Sequence, residues 1–174
     1  MKKAIITIIV SLFCITAFAD IRIALGNSDF LKEEETAVVI FDYSKAIWNE
    51  ESVYEQWCGD DYANRVNLSY GSYVLGFNNE STKLKIKQED PSAKYRITVK
   101  ITLIEEKHGA LLKGGLWRRY YVQCSGTIVI EDIATGEVVC IAEIDEEEGE
   151  RDLVINDRLA KCFYALGKST AKMK

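Results

Sequence analysis

Short stretches of alternating apolar and polar residues dominate the chain, interrupted twice by stretches with a longer period. Ile21 to Leu25 alternates apolar with charged positions and predicts a first short strand, closed by the turn cluster Gly26-Asn27-Ser28-Asp29. Thr36 to Tyr43 (TAVVIFDY) is almost wholly β-branched or aromatic, which predicts a central strand buried on both faces. From Ser52 to Phe77 the period lengthens. Cys58, Tyr62, Val66, Tyr70, Tyr73, Val74 and Phe77 recur every three or four residues, as on the apolar side of a helix. Gly59, Gly71 and Gly76 weaken that helix, and a break is expected near Gly59-Asp60.

Leu84 and Ile86, set between lysines, predict a short edge strand. Over Tyr95 to Glu105 the alternation points Tyr95, Ile97, Val99, Ile101 and Leu103 inward. Lys107 to Gly115 reads as a glycine-bearing loop. Trp117 to Asp132 reads as a long strand, Ala134-Thr135-Gly136 as a hairpin turn and Val138 to Asp145 as the returning strand. Asp152 to Lys172 closes the chain as a helix, with Glu148 and Glu150 before its start and Lys168 and Lys172 at its end, matching the helix dipole. The expected fold is α+β: a two-layer sandwich of a mostly antiparallel sheet, about five strands, with two helices on one face. Its expected core is Val39, Phe41, Ile97, Val99, Ile101, Ile128, Ile130, Leu159, Phe163 and Leu166.

The N-terminus changes the picture from a domain to an exported domain. Lys2-Lys3, the apolar run Ala4 to Phe18 and the small residues of Ala17-Phe18-Ala19 have the three parts of a secretory signal, residues 1–19. Cys14 follows Leu12-Phe13, and the bulk of Phe13 disfavours a lipoprotein signal there. Residues 20–174 then read as a single domain with no linker, repeat or second apolar span, so no stable membrane insertion is expected after cleavage. The whole chain carries a net charge of −5, and losing Lys2 and Lys3 makes the remainder more acidic. Such a chain is a poor ligand for nucleic acid or an anionic membrane surface. Cys58, Cys124, Cys140 and Cys162 show no CxxC or zinc spacing. Three of them fall on predicted core positions, so buried free thiols are expected, with one disulfide as the alternative.

No catalytic constellation appears. His108 is the sole histidine and is expected in the loop, without a nucleophile or second histidine to work with. Phosphate loops, GxSxG elbows, HExxH and GxGxxG are missing. The acidic run from Glu143 to Glu150 lacks the spacing of a calcium loop and reads as a charged strand end. Neither a metal nor a cofactor is expected. One surface stretch, Trp117-Arg118-Arg119-Tyr120-Tyr121, places Trp117, Arg119 and Tyr121 on one strand face, where rings beside a guanidinium can stack on a sugar or grip an acidic polymer.

Several stretches resemble a broad group of small exported proteins of unknown function from anaerobic Gram-negative bacteria of the gut and mouth. They are Val38-Val39-Ile40-Phe41-Asp42-Tyr43, Phe77-Asn78, Lys94-Tyr95-Arg96-Ile97-Thr98-Val99, Gly126-Thr127-Ile128, Asp132-Ile133-Ala134-Thr135-Gly136-Glu137, Arg158-Leu159 and Leu166-Gly167-Lys168. That resemblance implies no activity and no catalytic residue. The architecture is also similar to the small α/β domains of envelope assembly factors, such as the N-terminal domain of TolB and the penicillin-binding-protein activator lipoproteins, and a shared fold does not set function. The expectation is an exported, non-enzymatic protein of the periplasm, or of the cell surface or medium, that binds an envelope protein or polymer. A small-ligand or glycan binder is the alternative, and a carboxylate-based hydrolase the third reading.

Overall fold

The passage from Thr36 through the first long helix to His108 sets the architecture. The computed structural model describes residues 20–108, 120–149 and 154–174; the expected leader, residues 1–19, lies outside them. Among the described residues eight strands form one sheet. They are β1 (Asp20–Gly26), β2 (Thr36–Asp42), β3 (Ile47–Trp48), β4 (Ser52–Val53), β5 (Lys85–Ile86), β6 (Tyr95–His108), β7 (Tyr120–Asp132) and β8 (Val138–Glu148). The helices are α1 (Tyr54–Cys58), α2 (Tyr62–Glu80) and α3 (Ile155–Lys172). Across the sheet the order is β1-β8-β7-β6-β2-β5, and β3 joins β6 beyond the end of β2 while pairing with β4.

The combination of sheet and helices is α+β, but the expected five-stranded, mostly antiparallel sheet is overturned: the sheet is eight-stranded and mixed. β1, β8, β7 and β6 run antiparallel, whereas β2 is parallel to both β5 and β6, and β3 is parallel to β6. The chain leaves β2, passes through α1 and α2 over one face, and returns to lay β6 beside β2. A crossover through a helix brings the second strand back in the same direction as the first. The two-residue strands β3 and β4 are too short for alternation to reveal them.

Three irregularities change which side chains face inward. The first is a bulge in β1 between Ile23 and Leu25 that turns Leu25 away from the core side occupied by Ile21 and Ile23. β6 has a bulge between Ile101 and Leu103, so the inward positions shift from odd to even. Ile104 is buried, and Leu103, expected inside, stands half-exposed. β8 bulges opposite the Cys124–Gly126 segment of β7, where Glu146 takes φ 51°. Beyond it Glu147 turns inward. The expected core otherwise forms as read, with Phe41 half-buried at its margin. β2 is not covered on both sides: Ala37 and Val39 pack inward, while Ile40 is 49% exposed on the opposite face.

The helix break falls where Gly59 takes φ 54° at the end of α1. Gly76 has a different purpose. A Cβ there would stand 2.1 Å from the carbonyl oxygen of Tyr164, and a Cβ on Gly167 would stand 2.1 Å from that of Tyr73. The two glycines thus let α2 and α3 cross backbone against backbone. Gly167→Ala is expected to cost about 2 kcal/mol by overpacking. Gly71→Ala, with open space around its Cβ, is expected to gain up to about 1 kcal/mol from helix propensity. Urea unfolding of the two variants checks the contrast; equal effects would mean that the crossing is looser than described.

Candidate functional site

The expected binding strand is only partly in view. Tyr121 lies on β7, half-buried, opposite Lys107 of β6; Trp117 and Arg119 lie outside the described residues. Lys107 and His108 were expected in a loop, yet they extend β6 and pair with Tyr121 and Tyr120. The hairpin is therefore longer than its sequence suggests. Tyr120 sits on the helix-bearing side, where the Arg158 guanidinium lies 5.2 Å over its ring and pairs with Glu106 at 3.0 Å. On the other side, Glu105 accepts from Gln123 Nε2 at 2.8 Å and pairs with Lys107 at 2.9 Å.

A second aromatic group was not legible as a unit. The rings of Trp48 and Trp57 stack at 3.8 Å, and Arg65 lies 4.2 Å over Trp57 while pairing with Asp61 at 2.9 Å. Both faces of the Trp57 ring are thereby occupied. The stack pins α1 to β3 and the start of α2, and it offers no free ring face to a sugar.

The largest departure from the sequence reading is Glu147. Expected as part of a charged strand end, Glu147 is only 3% exposed. Its Oε1 accepts from the Ser169 hydroxyl at 3.1 Å, and its Oε2 has no hydrogen-bond partner among the described residues. Burial pushes its carboxyl up to about 7. Cys124 faces Glu147 across the β7–β8 pair, and the Cys162 thiol donates to the Glu147 carbonyl oxygen at 3.4 Å. Contact with the Cys124 thiol, together with burial, holds the Cys162 thiol well above its ordinary range. Burial likewise raises Cys58 and Cys140. Thiols held protonated in this way are inert as nucleophiles.

The feature that sequence reading missed altogether is the open face of the sheet, opposite the helices. Two rows of side chains cross it in register. Ile40, Thr98, Val129, Ile141 and Leu25 form one row from β2 to β1. Its ends are exposed: Leu25 at 57% and Ile40 at 49%. Beside it runs Asp42, Lys100, Thr127, Glu143 and Arg22, in which the charges read minus, plus, neutral, minus, plus. On the far side, Arg96 pairs with Glu131 at 3.6 Å. A shallow groove of about 590 Å³, lined by Arg22, Thr102, Ser125, Thr127, Glu143 and Asp145, marks one end of the face.

No known family profile matches the chain, and no curated protein matches it. Solved structures do. A PelC dodecamer from Paraburkholderia phytofirmans aligns at 13% identity over 86% of this chain and 97% of its own, with a TM-score of 0.47. A point variant of that dodecamer aligns at 14% identity over 90% and 98%, with a TM-score of 0.39. A neuraminyllactose-binding hemagglutinin homolog from Helicobacter pylori aligns at 8% identity over 81% of this chain and 83% of its own, with a TM-score of 0.40.

Among the described residues no group of three or more His, Cys, Asp or Glu side chains is placed to hold a metal ion, and no helix is long and apolar enough to cross a membrane. Glu147, the one carboxyl among the described residues that burial brings near neutrality, is enclosed away from solvent. The open face is the arrangement with something left to bind: an apolar row whose ends are uncovered, flanked by charges of both signs.

Proposed function

We propose that the protein is an exported, non-enzymatic binding protein that docks a protein partner on the open face of its sheet. The observation that carries this reading is the apolar row from Ile40 to Leu25, which crosses five strands in register and keeps large apolar side chains in water at both ends. Single exposed apolar residues are ordinary, whereas an aligned set rimmed by polar side chains is the makeup of a recognition surface. The alternating charges alongside it favour a partner with its own fixed pattern of charges, and such patterns set orientation more than affinity.

In-cell crosslinking of the tagged protein, read by mass spectrometry, tests the reading. Wild type is expected to yield a reproducible protein crosslink that is lost in Ile40→Glu and Leu25→Glu, and retained in a variant of the exposed Leu75 on α2. A crosslink that survives both face variants would place the interaction elsewhere and remove the proposal.

A further inference from the structure

The charged row on the open face has a symmetry that narrows the partner. From β2 to β1 it reads Asp42, Lys100, Thr127, Glu143, Arg22, so the pattern about Thr127 is antisymmetric in charge. Rotation by a half-turn about an axis laid along β7, between two sheets facing each other, brings β6 over the second copy's β8 and β2 over its β1. The second copy's Arg22–Glu143 ion pair, made within its own chain, then meets Asp42 and Lys100, with Lys100 opposite Glu143 and Asp42 opposite Arg22, and Thr127 meets Thr127. The same rotation lays Ile40 against Leu25, Thr98 against Ile141 and Val129 against Val129 in the apolar row. Shifting the axis by one strand loses the match in the charged row: along β6 it sets Lys100 on Lys100, and along β8 it sets Glu143 on Glu143. Along β7, like charges meet instead in the next row, Glu131 on Glu131, each paired with Arg96 of its own copy.

Resting on the reading of the open face as a docking surface, we infer that its partner is a second copy of this chain, in an isologous face-to-face dimer with its two-fold axis along β7. Twisted sheets packed face to face cross at about 30°, so contacts near the axis stay in register while the outer ones diverge. The Lys100–Glu143 pairs, one strand from the axis, are therefore the ones that decide orientation. Four inter-strand gaps of about 4.8 Å make the rows roughly 19 Å long, with about 7 Å between rows along the strands. The two rows and the Arg96–Glu131 pair beside them thus span roughly 400 Å², about half the ~800 Å² per partner of a standard interface. Association is accordingly expected at roughly micromolar concentration and should weaken as salt screens the exposed charges.

The symmetry supplies its own test. In Lys100→Glu each copy sets an acid against the other's Glu143. In Glu143→Lys each sets a lysine against the other's Lys100. Each variant alone is expected to dimerise at least ten-fold more weakly than wild type in sedimentation velocity. Mixing the two variants restores opposite charges at both contacts, so the equimolar mixture is expected to regain the dimer as a heterodimer. The protein is taken as cells process it, and unchanged far-ultraviolet circular dichroism and melting confirm that both variants fold. A wild type that stays monomeric to several hundred micromolar, variants that dimerise like wild type, or a mixture that stays monomeric would each overturn the inference. If the wild type is monomeric and yet Ile40→Glu abolishes a crosslink to a different protein, the docking face stands and the second copy falls. If no crosslink depends on the face either, both fall.

Discussion

Phe163→Ala is expected to lower stability by roughly 3–5 kcal/mol, the range for removing a fully buried phenyl ring. Phe163 sits on α3 with no exposed surface and fills the space between that helix and β2. Its ring meets Phe41 at 5.7 Å in an edge-to-face contact and Tyr43 at 6.3 Å. Phe41 in turn contacts Tyr73 of α2 edge-on at 5.3 Å, so the deletion loosens both helices from the sheet at once. The close crossing of α2 and α3 at Gly76 and Gly167 leaves the helices little room to sink into the space left behind, which places the cost toward the upper part of the range. Phe163→Leu, which keeps most of the volume, is expected to cost less than half as much. Urea unfolding reads both, with the midpoint falling and the slope unchanged. A cost below about 1 kcal/mol for the alanine variant would mean that α3 does not pack on the sheet as described.

That position was legible in the sequence because a helical period survives folding intact. Leu159, Phe163 and Leu166 share one face of a helix whatever it packs against, and they are all buried. Strand alternation is more fragile. It predicted Ile97, Val99 and Ile101 correctly and then failed at Leu103, because one extra residue in β6 exchanges the two faces of everything that follows. The same kind of event in β8 hides Glu147, since a bulge has no compositional mark when the residues around it are all acidic. Direction was illegible for a different reason. Nothing local to Thr36–Asp42 says that it neighbours Tyr95–Lys100 in parallel, and that choice rests on the crossover through α2. The reading of β2 as buried on both faces failed with it: Ile40 is apolar, yet it belongs to the open face. The row on the open face was wholly out of reach, because Ile40, Thr98, Val129, Ile141 and Leu25 become neighbours only through the register of five strands. The binding strand proposed from sequence relied on side chains adjacent along the chain, and it supplies only Tyr121 to the described surface.

The buried carboxyl that the β8 bulge creates is expected to leave a signature in the pH dependence of stability. Glu147 is raised by burial from an ordinary 4.5 to about 7. Below about pH 4.5 the side chain is protonated in folded and unfolded chains alike, and its burial as a neutral acid is tolerated. Between there and about pH 7 the unfolded chain gives up the proton while the folded chain keeps it, so stability falls as pH rises, by about 1.4 kcal/mol per unit of pKa difference. The contribution is fully present below the unfolded value and is gone once pH has risen through the folded one, a total of about 3 kcal/mol. Glu147→Gln removes the titration while keeping an oxygen for the Ser169 hydroxyl. The variant is therefore expected to match wild type near pH 4.5 and to exceed it by up to about 3 kcal/mol at pH 8. Other carboxylates act in the opposite direction, Glu33 and Asp90 being held down by hydrogen bonds from Lys94 and Tyr95 and from Ser92 and Thr36. Their effect is common to both proteins and cancels in the difference. Chemical denaturation of the pair from pH 4.5 to pH 8 is the measurement. A difference that does not change with pH would show that Glu147 is ionised in the folded chain, and that the end of β8 opens to water instead of closing over its acid.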